Sequence, residues 1–377
     1  MTIGVDIRHL TSPHYSGVQH YTVELLRCLF REDPSIHWVL FASGTQKTLK
    51  NLPVFLEKNV ELAIVRLPNK LQNLALMCGK TLESFSKNPI DIWFFPNQNI
   101  VRTRLPFVLT VHDVSFKIFP EFFTWKSRLW HRATRFEKLL KDARTLLAVS
   151  ESTKRDVAGM YNIPEAKICV THLGVSTDFS AHALPSDKSY LRAHKIWSPY
   201  FLTLATQEPR KNLESMIEAF EQFKTETHAK IRLVLAGPRG WKNEHVRARI
   251  GRSPFASDIQ SIGYVKEEHR PALYRGATAF LFPSFYEGFG LPVLEALACG
   301  TPVMTSPVSS IPEIAKNAAI YVDPFSLHDI TEAMKILTQN NEIRASFKEK
   351  GPRIAQKFTW QKTAKMTLEA LKNAAQK

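Results

Sequence analysis

The stretch Ala279-Phe280-Leu281-Phe282-Pro283-Ser284-Phe285-Tyr286-Glu287-Gly288-Phe289-Gly290-Leu291-Pro292-Val293-Leu294-Glu295-Ala296-Leu297-Ala298-Cys299-Gly300 carries the most structural information in this chain. Its opening apolar run has the length and composition of a buried strand. Gly288 and Gly290 let the backbone approach a ligand with no side chain in the way. Pro292 suits the first turn of a helix, where its missing N–H is no loss. Gly300 is placed to end that helix, just before a further strand at Pro302. A strand feeding a glycine-bearing loop and then a helix leaves unpaired N–H groups at the positive helix end, which is a diphosphate site. Glu287 lies in the loop and Glu295 inside the helix. An ionised carboxylate only accepts hydrogen bonds, so both suit hydroxyl groups rather than phosphates. A ribose diol and a hexose on either side of a diphosphate would supply them.

The same alternation continues outward. Short apolar runs at 3–7, 38–42, 62–67, 90–95, 108–111, 146–149 and 168–171 read as strands of a first α/β series. A second series runs through 200–206, 231–236, 259–262, 279–283, 302–305 and 320–322. Val18, Tyr21, Leu25 and Leu29 share one face of a helix beginning near Gly17. Residues 176–198 are polar and irregular, with prolines at 185 and 199, and read as the connection. The expected division is 1–180 for a first Rossmann-like domain on the acceptor side and 181–198 for a linker. A second Rossmann-like domain at 199–357 and a terminal helix at 358–377, opening on Phe358-Thr359-Trp360, complete it. Two doubly wound domains facing each other leave a cleft, and ligands of such sheets bind beyond the carboxyl ends of the strands.

The 279–300 segment resembles the Glu-x7-Glu signature of the retaining glycosyltransferases of family 4, which have the two-Rossmann GT-B fold. The resemblance implies that Glu287 contacts the donor sugar, that Glu295 contacts the ribose, and that Gly288, Phe289, Gly290 and Leu291 bind the phosphates through the backbone. The alternative is an ordinary loop followed by a solvent-facing helix glutamate. Pro209-Arg210-Lys211-Asn212 follows the strand at 200–206 and resembles the family's basic phosphate clamp. Two cations at a helix start oppose the helix dipole, a cost that makes sense beside a diphosphate. Many relatives place the arginine at the position held here by Thr206, so Lys211 is the firmer member of the pair.

Three further constellations follow the family's order. Tyr15-Ser16-Gly17-Val18-Gln19-His20-Tyr21 resembles the loop under the donor phosphates, with Ser16 for the first glycine, and puts Gly17 near the diphosphate. His112-Asp113, after the strand at 108–111, resembles the sugar-side wall: His112 toward the donor sugar, Asp113 toward the acceptor. Gly263-Tyr264-Val265 resembles the segment that contacts the base through its backbone, which brings in Val265. A plain turn and a structural histidine are the alternatives for the first two. Ser150-Glu151-Ser152-Thr153 is read only as a helix N-cap.

The bulk numbers fit this reading. The chain of 377 residues is too long for one ordinary core, and 44% hydrophobic with 23% charged residues is a folded composition. Cys28, Cys78, Cys169 and Cys299 form no C-x-x-C pair, so zinc and redox motifs are absent and a reducing cytosol is expected. No apolar run is long enough to span a membrane, and Asp6 stands where a signal peptide would be basic. A net charge of +15 attracts anions of any kind. No D-x-D triplet occurs, so neither a metal nor another cofactor is expected, and basic residues would neutralise the leaving group. Residues 117–144 carry eight Lys/Arg against three Asp/Glu, with Phe119, Phe122, Phe123, Trp125, Trp130 and Phe136 interleaved. Such a segment suits an anionic membrane surface, or else a core-facing aromatic stripe with a solvated basic back. The second reading is favoured for most of the aromatics.

The resemblance, which covers nearly the whole chain, implies transfer of a hexosyl unit from a nucleoside diphosphate sugar to an acceptor hydroxyl with retained configuration. It also implies that the second domain holds the nucleotide sugar and that the terminal helix crosses back toward the first. Arg210 and Lys211 would stabilise the departing diphosphate. The Pro-Arg-Lys-Asn form looks most like bacterial polysaccharide mannosyltransferases, which makes GDP-mannose the first donor and a growing glycan or lipid-linked saccharide the acceptor. A cytoplasmic enzyme, peripheral at the inner membrane face, would follow. A nucleotide-sugar epimerase on the same fold is the rival enzyme. A basic nucleic-acid-binding protein is the rival of another class, but it lacks a matching motif, so no nucleic-acid partner is expected.

Overall fold

The computed structural model describes residues 1–12, 16–85, 89–241 and 243–376; Tyr15 of the N-terminal motif lies outside them. The chain forms two compact units. One comprises Met1–Ile118, Trp125–Gly174 and Thr359–Lys377; the other comprises Phe119–Thr124 and Val175–Phe358.

The first unit holds strands β1 (Thr2–Asp6), β2 (His37–Ser43), β3 (Val60–Val65), β4 (Ile92–Phe95), β5 (Phe107–Val111), β6 (Thr145–Ala148) and β7 (Ile168–Val170). They form one parallel sheet in the order β3-β2-β1-β4-β5-β6-β7. Strands covered on both faces read as continuous apolar runs, and β4 and β5 are buried throughout. Trp93 stacks on Phe95 at 6.0 Å within the core on one face. Elsewhere in this unit helices Gly17–Glu32 and Trp360–Gln376 pack against each other. Trp360 sits beside His20 and Tyr21 there, and Thr363 Oγ1 donates to the His172 carbonyl at 2.7 Å.

The second unit holds β8 (Tyr200–Leu204), β9 (Arg232–Ala236), β10 (Ile259–Gly263), β11 (Ala279–Phe282), β12 (Val303–Thr305) and β13 (Ala319–Tyr321). Their order is β10-β9-β8-β11-β12-β13, again all parallel. The strand order reverses between β8 and β11, the point at which doubly wound sheets bind their ligands. Phe201, Phe220, Phe223, Leu281, Met304 and Met334 form the core on one face. Every expected strand is present within two residues of its expected ends.

Two expectations need correction. Residues 176–198 are not wholly irregular, because Pro185–Ala193 is a helix. Pro185 is a helix-start residue here rather than a breaker. Asp187 accepts from the Leu184 N–H at 3.0 Å, and both of its oxygens take Arg275 donors at 2.7 Å, which pins this helix to Arg270–Gly276. The basic stretch is likewise not one helix. Arg135 adopts a left-handed conformation (φ 49°) between Trp125–Ala133 and Phe136–Asp142, so no continuous aromatic stripe runs through the segment. Phe136 is buried, and Phe119, Phe122 and Phe123 pack on Tyr286, Phe285 and Trp241, as the core-facing reading holds. Trp125 and Trp130 are exposed, against it. Among the described residues no helix is long and apolar enough to cross a membrane.

Candidate active site

The loops that follow β8 and β11 flank the point of strand reversal in the second unit, and they bring Arg210, Lys211 and Glu287 into direct contact. Lys211 Nζ donates to Glu287 Oε1 at 2.6 Å, with both side chains more than nine-tenths buried. The ammonium also lies 4.9 Å from the centre of the Phe282 ring. Arg210 donates through Nη1 to Glu287 Oε2 at 3.2 Å and to the Tyr286 carbonyl at 2.9 Å. Its other edge is held by Glu208 Oε1, with Nε at 3.2 Å and Nη2 at 2.9 Å. Burial would raise the Glu287 carboxyl, but Lys211 and then Arg210 outweigh it and hold the pKa below the ordinary range. Burial and the neighbouring Arg210 lower the pKa of Lys211, against the pull of Glu287. Asn212, left-handed at φ 56°, turns the chain from the short 3-10 turn Pro209–Lys211 into helix Leu213–Thr227, and its Nδ2 donates to the Pro324 carbonyl at 2.6 Å.

Serines fix the conformation of the Glu287 loop. Ser309 Oγ accepts the Glu287 N–H at 2.8 Å, and Ser310 Oγ reaches the carbonyls of Glu287 and Phe289 at 3.0 and 2.8 Å. Ser306 Oγ donates to the Ser284 carbonyl. Gly288 and Phe289 are buried, and Gly290 caps helix Leu291–Ala298 at φ 101°. A Cβ on Gly290 would stand 2.6 Å from Ile311 Cδ1, so the end of that side chain would have to shift, and the left-handed backbone disfavours any side chain whatever the space. Pro292 occupies the first turn, as expected, and the helix starts with Leu291. Glu295 is buried inside this helix. Its Oε2 accepts from the Tyr274 hydroxyl at 2.8 Å, and its Oε1 lies 3.4 Å from Arg270 Nη1. Val265 is buried just past β10, and Gly263 at the strand's end is left-handed at φ 70°.

The remaining candidates belong to the first unit. His112 ends up after β5, half-buried, and bonds through Nε2 to the Pro96 carbonyl at 2.8 Å. That bond makes Nε2 the protonated nitrogen, and burial lowers the pKa, so the ring is neutral near pH 7. Tyr21 meets it edge-on at 4.8 Å. Asp113 does not pair with His112. Its Oδ1 accepts the Ser115 N–H at 2.9 Å and the Ser115 hydroxyl at 2.6 Å, starting the short helix Ser115–Ile118. Gly17 is exposed at the start of helix Gly17–Glu32, where a Cβ would meet nothing within 4 Å. Ser150 Oγ caps Glu151–Tyr161 by accepting the Thr153 N–H at 3.0 Å.

Sequence reasoning missed Glu208, Tyr274, Arg270 and the serines at 306, 309 and 310. Glu208 stands two residues before Arg210 and could have been found as the acid of a Glu-Pro-Arg-Lys run. Tyr274 and Arg270 had no local signal, because their partner is more than 20 residues away.

Residues 193–354 match the family model for glycosyl transferases group 1, and residues 15–179 match that for glycosyltransferase family 4. The chain is 34% identical over 269 residues to the O-antigen chain mannosyltransferase B of Escherichia coli, covering 70% of each. It is 29% identical over 234 residues to the serotype-specific mannosyltransferase WbdA of Escherichia coli, covering 60% of this chain but only 28% of WbdA. The structure resembles that of WaaG, a glycosyltransferase involved in lipopolysaccharide biosynthesis, with a TM-score of 0.76, 17% identity, and coverage of 98% and 99%. It also resembles Anabaena HepE in complex with UDP-glucose, with a TM-score of 0.73, 17% identity, and coverage of 99% and 100%. The two parallel sheets are thus the Rossmann-like units of the GT-B fold. The chain belongs to the glycosyltransferases that these family models describe, and it is an enzyme.

Proposed function

We propose that this enzyme moves a mannosyl unit from GDP-mannose to an acceptor hydroxyl of a growing glycan or lipid-linked saccharide, with retained configuration. The observation that carries this reading is the buried Lys211–Glu287 pair beside the N-terminal end of helix Leu291–Ala298. There the Lys211 ammonium and the backbone N–H groups of the loop and helix start can take a diphosphate together. The mannosyl assignment is supported by the names of the relatives in Escherichia coli. GDP as the nucleotide rests on the resemblance alone.

In this reading Glu287 holds Lys211 until the donor arrives, then accepts sugar hydroxyls while the ammonium turns to the phosphates. Lys211 serves as the point charge that stabilises the departing diphosphate, with the amides of Phe289, Gly290 and Leu291. Arg210 is already tied to Glu208, Tyr286 and Glu287, so it steadies the loop and adds its charge to the site. Glu295 accepts the ribose hydroxyls, and Val265 meets the base through its backbone. From the first unit, Gly17 serves the phosphates, His112 the donor sugar and Asp113 the acceptor. No divalent ion takes part. The neutral His112, with its proton committed to Pro96, orients hydroxyls through Nδ1 as an acceptor.

The test is a thermal-shift and product assay with GDP-, UDP-, ADP- and dTDP-sugars on wild type and Glu295→Ala. Stabilisation by the GDP series, weakened in the variant, and mannose in the product are expected. Stabilisation by none of them would sink the reading.

An anionic membrane surface belongs to the same proposal. Helix Trp125–Ala133 buries none of its residues, and Trp125, Leu129 and Trp130 are exposed among Lys126, Arg128 and Arg132. Exposed tryptophans among cations suit the headgroup region and would bring the enzyme to a lipid-linked acceptor at the inner membrane face. Flotation with liposomes containing anionic lipid should retain wild type and lose a Trp125→Ala/Trp130→Ala variant; no retention of wild type would remove this part.

A further inference from the structure

Arg270 opens helix Arg270–Gly276, and its side chain is only 14% exposed. A guanidinium has five N–H donors in one plane. One contact is a long one, from Nη1 to Glu295 Oε1 at 3.4 Å. Nε is buried and has no hydrogen-bond partner among the described residues. A buried donor left unmet is destabilising, so the guanidinium has hydrogen-bonding capacity that the chain itself does not use.

Glu295 does not depend on Arg270 for its position, because the Tyr274 hydroxyl already donates to it at 2.8 Å. Arg270 also follows Val265 by five residues, directly after the short 3-10 turn Glu267–His269, which keeps it near the turn after β10 as well as near Glu295. Arg270 is therefore near both groups proposed above for the nucleoside: the carboxylate for the ribose and the 263–265 segment for the base.

Resting on the nucleotide-sugar reading, we propose that Arg270 reads the base of the donor and that this base is guanine. Two parallel N–H donors of a guanidinium match two acceptors set side by side, and guanine presents O6 and N7 in that way. Adenine places an amino donor beside N7, which would oppose one of the two bonds. Uracil has no ring N7, so it offers no such adjacent pair. Arg270 thus selects the nucleotide, while Lys211 and Glu287 handle the diphosphate and the sugar.

The experiment is calorimetric binding of GDP, 7-deaza-GDP, ADP and UDP to the full chain, as wild type, Arg270→Met and Arg270→Lys. Wild type should prefer GDP, and 7-deaza-GDP should bind more weakly because it lacks N7. Arg270→Met should lose about 5–150-fold in GDP affinity, the range for one bidentate base contact, with UDP binding little changed. Arg270→Lys keeps the charge but not the paired donors, so it too should lose the distinction between GDP and 7-deaza-GDP. That distinction in wild type requires no substitution, which protects the test from a variant that folds poorly. Equal losses for GDP, ADP and UDP in Arg270→Met would mean that Arg270 acts only on the ribose side, and would overturn the proposal. Wild type preferring UDP or ADP would overturn guanine while leaving the nucleotide-sugar reading intact. Wild type binding none of the four would overturn both.

Discussion

Replacing Lys211 by methionine, Glu287 by glutamine, and both together measures how strongly the buried pair is coupled. Breaking a buried ion pair from one side costs about 3–5 kcal/mol, because the other charge stays behind without compensation. Both losses are softened here. After Lys211→Met, Glu287 still accepts from Arg210 Nη1 at 3.2 Å. After Glu287→Gln, the amide oxygen still faces Nζ, and Lys211, whose pKa is already lowered, can shed its proton. Each single change should therefore cost about 2–3 kcal/mol of stability. The double variant strands neither charge and should also cost about 2–3 kcal/mol. The coupling is then about 2–3 kcal/mol, at the upper end for residues in contact. Urea unfolding of the ligand-free chain reads it, with separate transitions fitted for the two units. The pH dependence has a definite sign. Glu287 has a depressed folded pKa, so its contribution is complete above the ordinary glutamate value of about 4.3 and is lost as pH falls through the folded value. Single-variant costs that simply add, within about 0.5 kcal/mol, would refute the pair as a coupled unit in solution.

Other expectations concern neighbouring groups. Burial lowers His9 and His131 to about 4 each, against the nearby Asp6 and Asp113 respectively. The unfolded chain therefore binds more protons between about pH 4 and 6.5, and the first unit should lose up to about 3 kcal/mol from His9, and less from the more exposed His131, across that window as pH falls. His9→Asn should reduce the slope of unfolding free energy against pH, with His131 and His112 carrying the remainder, and an unchanged slope would contradict the assignment. Gly290→Ala should cost about 1–3 kcal/mol for the left-handed backbone, with the end of Ile311 displaced to make room. It should depress both the melting temperature and donor binding, whereas a wild-type melt would mean that the loop has another conformation. Glu208→Ala should remove the acceptor that holds the Nε and Nη2 edge of Arg210, and kcat should fall more than KM rises. Glu208→Asp should recover part of the loss, and full activity in Glu208→Ala would show that Arg210 needs no such brace.

Much of this enzyme is determined locally. Strands such as β4 and β11 are short apolar runs because a parallel sheet is covered on both faces. Gly290, Pro292 and Gly300 mark the limits of their helix through backbone geometry alone, which any fold must respect. Glu287, Lys211 and Arg210 were legible as candidates because their types and order are local features, and the structure brings them into contact. What the chain does not display locally is pairing across long separations. Glu295 meets Tyr274 and Arg270, and Glu287 meets Ser309 and Lys211, because parallel strands far apart in sequence lie side by side and their following loops converge. The helix at Pro185–Ala193 was hidden because a proline marks a helix start or a break equally well, and Arg275 stabilises the start from a distant segment. The break at Arg135 left no mark in the periodicity, and with it the exposure of Trp125 and Trp130 was decided only in three dimensions. Local backbone preference sets the elements; which charges face one another, and hence which are ready to meet a ligand, depends on how the sheet orders its strands.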